Sequence, residues 1–177
     1  GGAALFASHC SGRHGRGAQG FAGYPNLNDD DWLWGGGLGD ILQTIAGGVR
    51  SGHKLARDSA MPKFGLEKIL NAEELSDVAE SVLSLSSRSS DAAAAGRGQK
   101  TFADQCAACH GEDGKGNQAL GAPNLTDGIW LYGGEKKAVL ESISTGRGGV
   151  MPNWDGRFDA ATLKMLAVYV HSLGGGT

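Results

Sequence analysis

Cys106-Ala107-Ala108-Cys109-His110 joins two thiols and an imidazole at the spacing used for covalent c-type haem attachment. On one helical turn the two thiols reach the two vinyl groups of a single haem, and the adjacent imidazole is aimed at the iron. The rival chemistries fit less well. A thioredoxin-like pair also uses C-x-x-C, but it needs no following histidine and expects a βαβ context. A structural zinc site needs a second ligand pair at matching spacing, and the sequence has none.

A damaged copy of the same stretch lies near the N-terminus: Cys10-Ser11-Gly12-Arg13-His14 reads Cys-x-x-Arg-His, with the second cysteine replaced. Beyond each histidine the same succession of signals recurs. His14 is followed by Pro25-Asn26-Leu27 and Trp32-Leu33-Trp34-Gly35-Gly36, and His110 by Pro123-Asn124-Leu125 and Trp130-Leu131-Tyr132-Gly133-Gly134. The step from proline to tryptophan is the same in both. A Met-Pro pair closes each half, Met61-Pro62 and Met151-Pro152. Four ordered signals occurring twice imply two homologous haem modules in tandem.

A c-type haem iron takes two axial ligands. His14 and His110 supply the proximal ones by position, and Met61 and Met151 are the candidates opposite, each in its own half. Methionine sulfur raises the potential and closes the sixth position, which favours electron transfer over oxygen chemistry. Met165 sits within a regular helix and reads as core packing. The carbonyls of Pro25 and Pro123 can accept the imidazole Nδ1 proton and fix each ring. Trp32, Trp34, Trp130 and Tyr132 read as haem-packing or core residues. Arg50, Arg57 and Arg147 are candidates for haem propionates, with solvated surface arginine the alternative. His53 and His171 are given no ligand role; His9, beside the disrupted motif, is a competitor for iron.

With 177 residues the chain is long enough for two small domains. Domains of that size bury a limited apolar core, which a haem supplements. The 31 glycines fit tight turns and close approach to a flat cofactor. A net charge of −3, with no long run of either sign, argues against nucleic acid as a partner. No stretch approaches the length of apolar chain needed to span a bilayer, and no signal peptide is visible. The chain begins Gly1-Gly2-Ala3, so a processed or truncated piece, with an N-terminal anchor missing, is an open reading. All three cysteines lie in the two motifs, so no disulfide framework is implied. Covalent haem attachment takes place outside the bacterial cytoplasm, which makes the periplasm the expected compartment.

The elements that must position these residues are helical. Residues from about Ala3 to Cys10 lead into the first motif. Asp40 to Ala46 has helical spacing and stops at Gly47-Gly48. Asn71 opens a capping box with Glu74, ahead of Leu75, Val78, Ala79, Val82 and Leu83 on one face. A helix from Asp91 through Phe102 runs to the second pair of cysteines, another spans Gly134 to Ser144, and a last one is capped by Asp159 and ends at Gly174. Strand signals are weak. The expected fold is all-α: two tandem class I cytochrome c domains, residues 1–88 and 91–177.

Asp30-Asp31-Trp32-Leu33-Trp34-Gly35-Gly36, Gly114-Lys115-Gly116-Asn117, Ala122 to Asp127, Ile129 to Gly133, Gly146-Arg147, Val150-Met151-Pro152 and Tyr169 to Gly175 together resemble the dihaem subunit (subunit III, the P subunit) of cbb3-type cytochrome c oxidases. The resemblance covers nearly the whole chain. It implies two periplasmic cytochrome c domains, each with a haem c under His/Met ligation. They would pass electrons from a donor cytochrome c, through a monohaem subunit, to the oxygen-reducing haem-copper subunit. It also implies an N-terminal transmembrane helix that this chain lacks.

Arg13 departs from that pattern. Attachment through Cys10 alone, non-covalent retention by His14, Met61 and packing, and an engineered or erroneous residue are all open. A guanidinium at the vinyl edge costs desolvation unless it swings to solvent, so the first haem is expected to be the more easily lost. Two other functions remain: the cytochrome subunit of a periplasmic dehydrogenase, and a haem sensor or peroxidase-like protein with an open axial position.

Overall fold

The computed structural model describes residues 1–174; Gly175, the last residue of the Tyr169 motif, and the remaining tail lie outside the described residues. Among the described residues, eight helices account for the regular structure: α1 (Gly2–His9), α2 (Ser11–His14), α3 (Leu38–Gly47), α4 (Ala72–Ser84), α5 (Ala92–Gln105), α6 (Ala107–His110), α7 (Lys136–Thr145) and α8 (Ala160–His171). Among the described residues only isolated β-bridges occur, so the all-α expectation holds.

Local chemistry sets the boundaries. Asn71 Oδ1 accepts from the N–H groups of Glu73 and Glu74, and Glu74 Oε2 accepts from the Asn71 N–H at 2.8 Å, completing the capping box of α4. Asp91 caps α5 at the Ala94 N–H, and Asp159 caps α8 at the Thr162 N–H. α7 begins at Lys136, later than the expected Gly134, because Gly133 has φ of +100° and Glu135 is extended. The helices entering the two motifs do not run through them. Cys10 and Cys106, with φ of −115° and −113°, each break the helix and start a one-turn helix ending at the histidine.

The chain folds as two compact units that are not its two halves. One comprises Gly1–Ser59, Gln118–Leu120 and the segment from Gly149; the other comprises Ala60–Asn117 and Gly121–Gly148. The division expected from the sequence is contiguous, at 1–88 and 91–177. In the first unit α8 packs on α1 and α3, around Phe6, Ile41, Ile45, Leu163, Leu166 and Val170. In the second, α4 packs on α5 and α7, around Phe64, Val78, Val82, Phe102, Val139 and Ile143. Burying Phe6 or Phe102 contributes about 2–3 kcal/mol.

The reason lies in the α4–α5 connection. The short link from Leu85 to Asp91 makes α4 and α5 an αα-hairpin. Its clamp is Glu80, fully buried, which accepts from Ser89 Oγ (2.6 Å) and the Ser90 and Asp91 N–H groups (3.0 and 3.3 Å) and pairs with Lys136 Nζ at 3.0 Å. Asp77 adds a two-pronged pair to Arg97, both contacts 2.7 Å. The helix expected to close the first half therefore serves the second.

The two units nevertheless share one internal plan. A Cβ on Gly98 would stand 2.1 Å from the Asp77 carbonyl oxygen, and one on Gly2 would stand 2.5 Å from the Met165 carbonyl oxygen. Each glycine lies at the same place ahead of its motif cysteine, and lets the entering helix cross its partner backbone to backbone.

Candidate haem sites

Each motif histidine is held by the loop beyond it. His14 Nδ1 donates to the Pro25 carbonyl and His110 Nδ1 to the Pro123 carbonyl, both at 3.0 Å. A carbonyl only accepts, so the ring proton sits on Nδ1 and Nε2 keeps its lone pair for a metal. Burial pushes both imidazoles below the usual histidine range; their hydrogen bonds to the prolines partly oppose this, and the Arg13 charge adds to it at His14.

The Pro-Asn-Leu repeat explains how those carbonyls are aimed. Proline supplies the acceptor. Asn26 Oδ1 accepts from the Asn28 N–H, and Asn124 Oδ1 from the Thr126 N–H, both 2.9 Å, closing an Asx turn in each loop. The leucine N–H then pins the loop back: Leu27 to the Ala18 carbonyl (2.8 Å), Leu125 to the Gly114 carbonyl (2.7 Å).

The thiols differ in setting. Cys106 is buried, Cys109 is exposed and Cys10 lies between. Burial, reinforced by neighbouring Cys109, pushes the Cys106 thiol up to about 11, so it is protonated at neutral pH. Burial also raises the Cys10 thiol, with Arg13 working against it. Arg13 itself is exposed, as is Cys109 at the matching place.

The methionine loops follow the fold rather than the sequence order. Met151 shares the unit of His14: its N–H and carbonyl both pair with Val49, just past α3, at 3.0 Å, and its side chain packs on the Phe6 core. Met61 shares the unit of His110: the Gly65 and Leu66 N–H groups both bond the Ser144 carbonyl of α7 at 3.1 Å, and Met61 packs on the core that contains Cys106 and Leu125. The pairing expected from sequence order sets His14 with Met61 and His110 with Met151. α4, which comes after Met61, is committed to α5 by the hairpin and carries Met61 with it.

The remaining candidates sit in loops and at helix ends. Trp32 and Trp130 lie against Gly36 and Gly134, whose Cβ positions would fall 2.7 Å from the respective indole Cδ1 atoms. Arg57 stacks on Trp34 and pairs with Asp40 at 3.0 Å; Arg147 stacks on Tyr132 and pairs with Glu141. Arg50 spends its guanidinium on the Gly149 and Ser59 carbonyls, at 2.8 and 2.7 Å. All three arginines proposed for propionates thus have protein acceptors. His9 lies edge-on to Trp154 and Phe158, which holds it as a packing residue. His53 faces Asp155 at 3.4 Å, and His171 ends α8. Sequence reasoning missed Arg88, which lies in the serine-rich link and whose guanidinium reaches Gly134.

A profile of the family described as cytochrome c oxidase, cbb3-type, subunit III matches residues 1–80 and 93–170. The chain belongs to this family. It is 53% identical over 99% of its length to the cbb3-type cytochrome c oxidase subunit FixP of Bradyrhizobium diazoefficiens, 52% over 99% to subunit CcoP of Cereibacter sphaeroides, and 49% over 99% to subunit FixP of Rhizobium meliloti. It spans about three-fifths of those relatives, 61%, 61% and 60% of their lengths. Among the described residues no helix is long and apolar enough to cross a membrane.

Haem c is the cofactor the family implies, and the residues fit it. Two imidazoles present free Nε2 lone pairs, thiols stand one turn before them, and a methionine loop shares each unit. Among the described residues the buried Trp130 Nε1 has no partner, as a donor awaiting a ligand would.

Proposed function

We propose that this chain is the electron-relaying part of a cbb3-type oxidase, carrying one haem c in each unit. When bound, each haem supplies one-electron ferric/ferrous chemistry. The chain's own residues would hold it: His14 and Met151 in one unit, His110 and Met61 in the other. Cys106 and Cys109 would form two thioethers, and Cys10 one. Pro25 and Pro123 orient the imidazoles, and the methionine sulfurs would exclude an exogenous ligand. The chain is thus not catalytic by itself. It would take electrons from a donor cytochrome c on the periplasmic side and pass them, with the monohaem subunit, to the oxygen-reducing haem-copper subunit.

The observation that carries this reading is the matched pair of His–Pro hydrogen bonds, each in one unit with a Met-Pro loop. Carbon monoxide binding by reduced Met61→Ala and Met151→Ala chains tests it. Met61→Ala should open the two-thioether haem of Cys106 and Cys109, and Met151→Ala the other. The reverse assignment would restore the pairing by sequence order. Carbon monoxide binding to the unsubstituted chain would favour a sensor or peroxidase-like role.

A further inference from the structure

Glycine 134 marks a place where two donors converge. A Cβ there would stand 2.3 Å from Arg88 Nη1 and 2.7 Å from Trp130 Cδ1. The Trp130 indole N–H is buried without an acceptor among the described residues. The Arg88 side chain is exposed and, among the described residues, pairs with no carboxylate or carbonyl. It contrasts with Arg50, Arg57 and Arg147, all of which have protein acceptors.

The backbone holds Arg88 in this position. The Arg88 N–H bonds the Leu83 carbonyl at 2.8 Å and the Ser87 N–H bonds the Ser84 carbonyl at 3.1 Å, a Schellman closure of α4. It requires Ser87 at φ of +58°, the left-handed region in which serine is strained by about 1 kcal/mol. The chain bears that strain where it delivers a guanidinium to the tryptophan.

An unsatisfied buried N–H beside an unpaired guanidinium calls for a planar anion with two oxygens. We propose that Arg88 and Trp130 together hold one propionate carboxylate of the haem bound at His110. Arg88 opposes the additional positive charge of ferric iron and raises the potential of that haem. The proposal rests on the dihaem reading and adds the positioning residue.

The test is potentiometric titration of the holo chain, with the haem of Cys106 and Cys109 identified by its two-thioether spectrum. Arg88→Gln should retain that haem and shift its reduced-to-oxidised ratio at fixed poise about threefold to tenfold towards oxidised, up to about 59 mV for one electron. Its propionate bending bands should move in resonance Raman spectra, and Arg88→Lys should restore most of the potential. Trp130→Phe and the double variant should be non-additive, as for two groups on one carboxylate. An Arg88→Gln chain with unchanged potential and bending bands overturns the proposal, as does strict additivity with Trp130→Phe. Absence of haem on Cys106 and Cys109 in the unsubstituted chain would overturn the dihaem reading itself, and this proposal with it.

Discussion

Met61 is seated against Gly146: its carbonyl oxygen lies 2.5 Å from where a Cβ on that glycine would stand. Met151 stands in the same relation to Gly48, at 2.4 Å. Each methionine loop therefore closes on the glycine that ends the mid-unit helix, α7 or α3, and in both cases that helix comes from the other sequence repeat. The second unit is thus a permuted copy of the first. It reads methionine loop, α4, α5, motif and α7, and it is inserted between α3 and Met151 of the first.

This predicts that the repeats cannot fold alone. Residues 1–88 hold α1 and α3 without α8, which leaves Phe6 and Ile45 without their cover, and residues 91–177 hold α5 and α7 without α4. Each piece should show little helical circular dichroism and elute as an expanded or aggregated species. Mixing the two should recover the helical signal of the intact chain. Two separately folded, monomeric halves would refute the interleaved arrangement.

The proline acceptors, the helix caps and the all-α class were legible in the sequence because each depends on contacts within one loop or one helix turn. His110 and Pro123 meet through a single loop, and Asn71 caps its own helix. Which Met-Pro loop joins which histidine depends instead on the choice of partner for α4. Its apolar face, with Val78 and Val82, would suit either motif helix, since both carry a glycine and a phenylalanine at matching places. The decision rests on the brevity of the α4–α5 link and on Glu80, a charged residue that helical patterning assigns to a solvated face. Arg88 was hidden for a related reason: a serine in a left-handed turn has no sequence signal comparable to glycine.

Gly98→Val should separate α4 from α5. The first added atom already lies 2.1 Å from the Asp77 carbonyl oxygen, which is backbone and cannot swing away. A loss of about 3 kcal/mol or more is expected from overpacking at this crossing, read as a lowered thermal midpoint. Gly96→Val, on the same helix with open space around its Cβ, is the control and should lose about 1 kcal/mol or less.

Glu80 is held down to about 2, first by the hydrogen bond from Ser89, then by Lys136 and the Ser90 and Asp91 N–H groups, against the cost of burial. Its folded value lies below the ordinary carboxylate value of 4.5. Its contribution is therefore fully present above about pH 4.5 and is lost as the pH falls towards 2. Glu80→Gln should cost about 2 kcal/mol at pH 7. The difference from the unsubstituted chain should shrink on acidification, as measured by urea denaturation at a series of pH values. A difference that stays constant between pH 7 and pH 3 would show that the carboxylate charge is not what holds the hairpin.

Arg13→Cys should complete the first attachment site. Arg13 and Cys109 occupy the same place on one-turn helices that both come after a breaking cysteine and both end at a histidine bonded to a proline carbonyl. Arg13 is exposed, so its guanidinium reaches solvent without distorting the turn, and the backbone needs no change to present a thiol there. With Cys10 as the sole anchor, one vinyl group remains conjugated with the haem, and the first unit should show a red-shifted pyridine haemochrome component and lose haem first under destabilising conditions. Arg13→Cys should merge the two components into one and leave the denatured mass carrying two haems. A rise from one retained haem to two would instead show that Cys10 alone forms no thioether. In that case His14, Met151 and packing hold the first haem without a covalent bond.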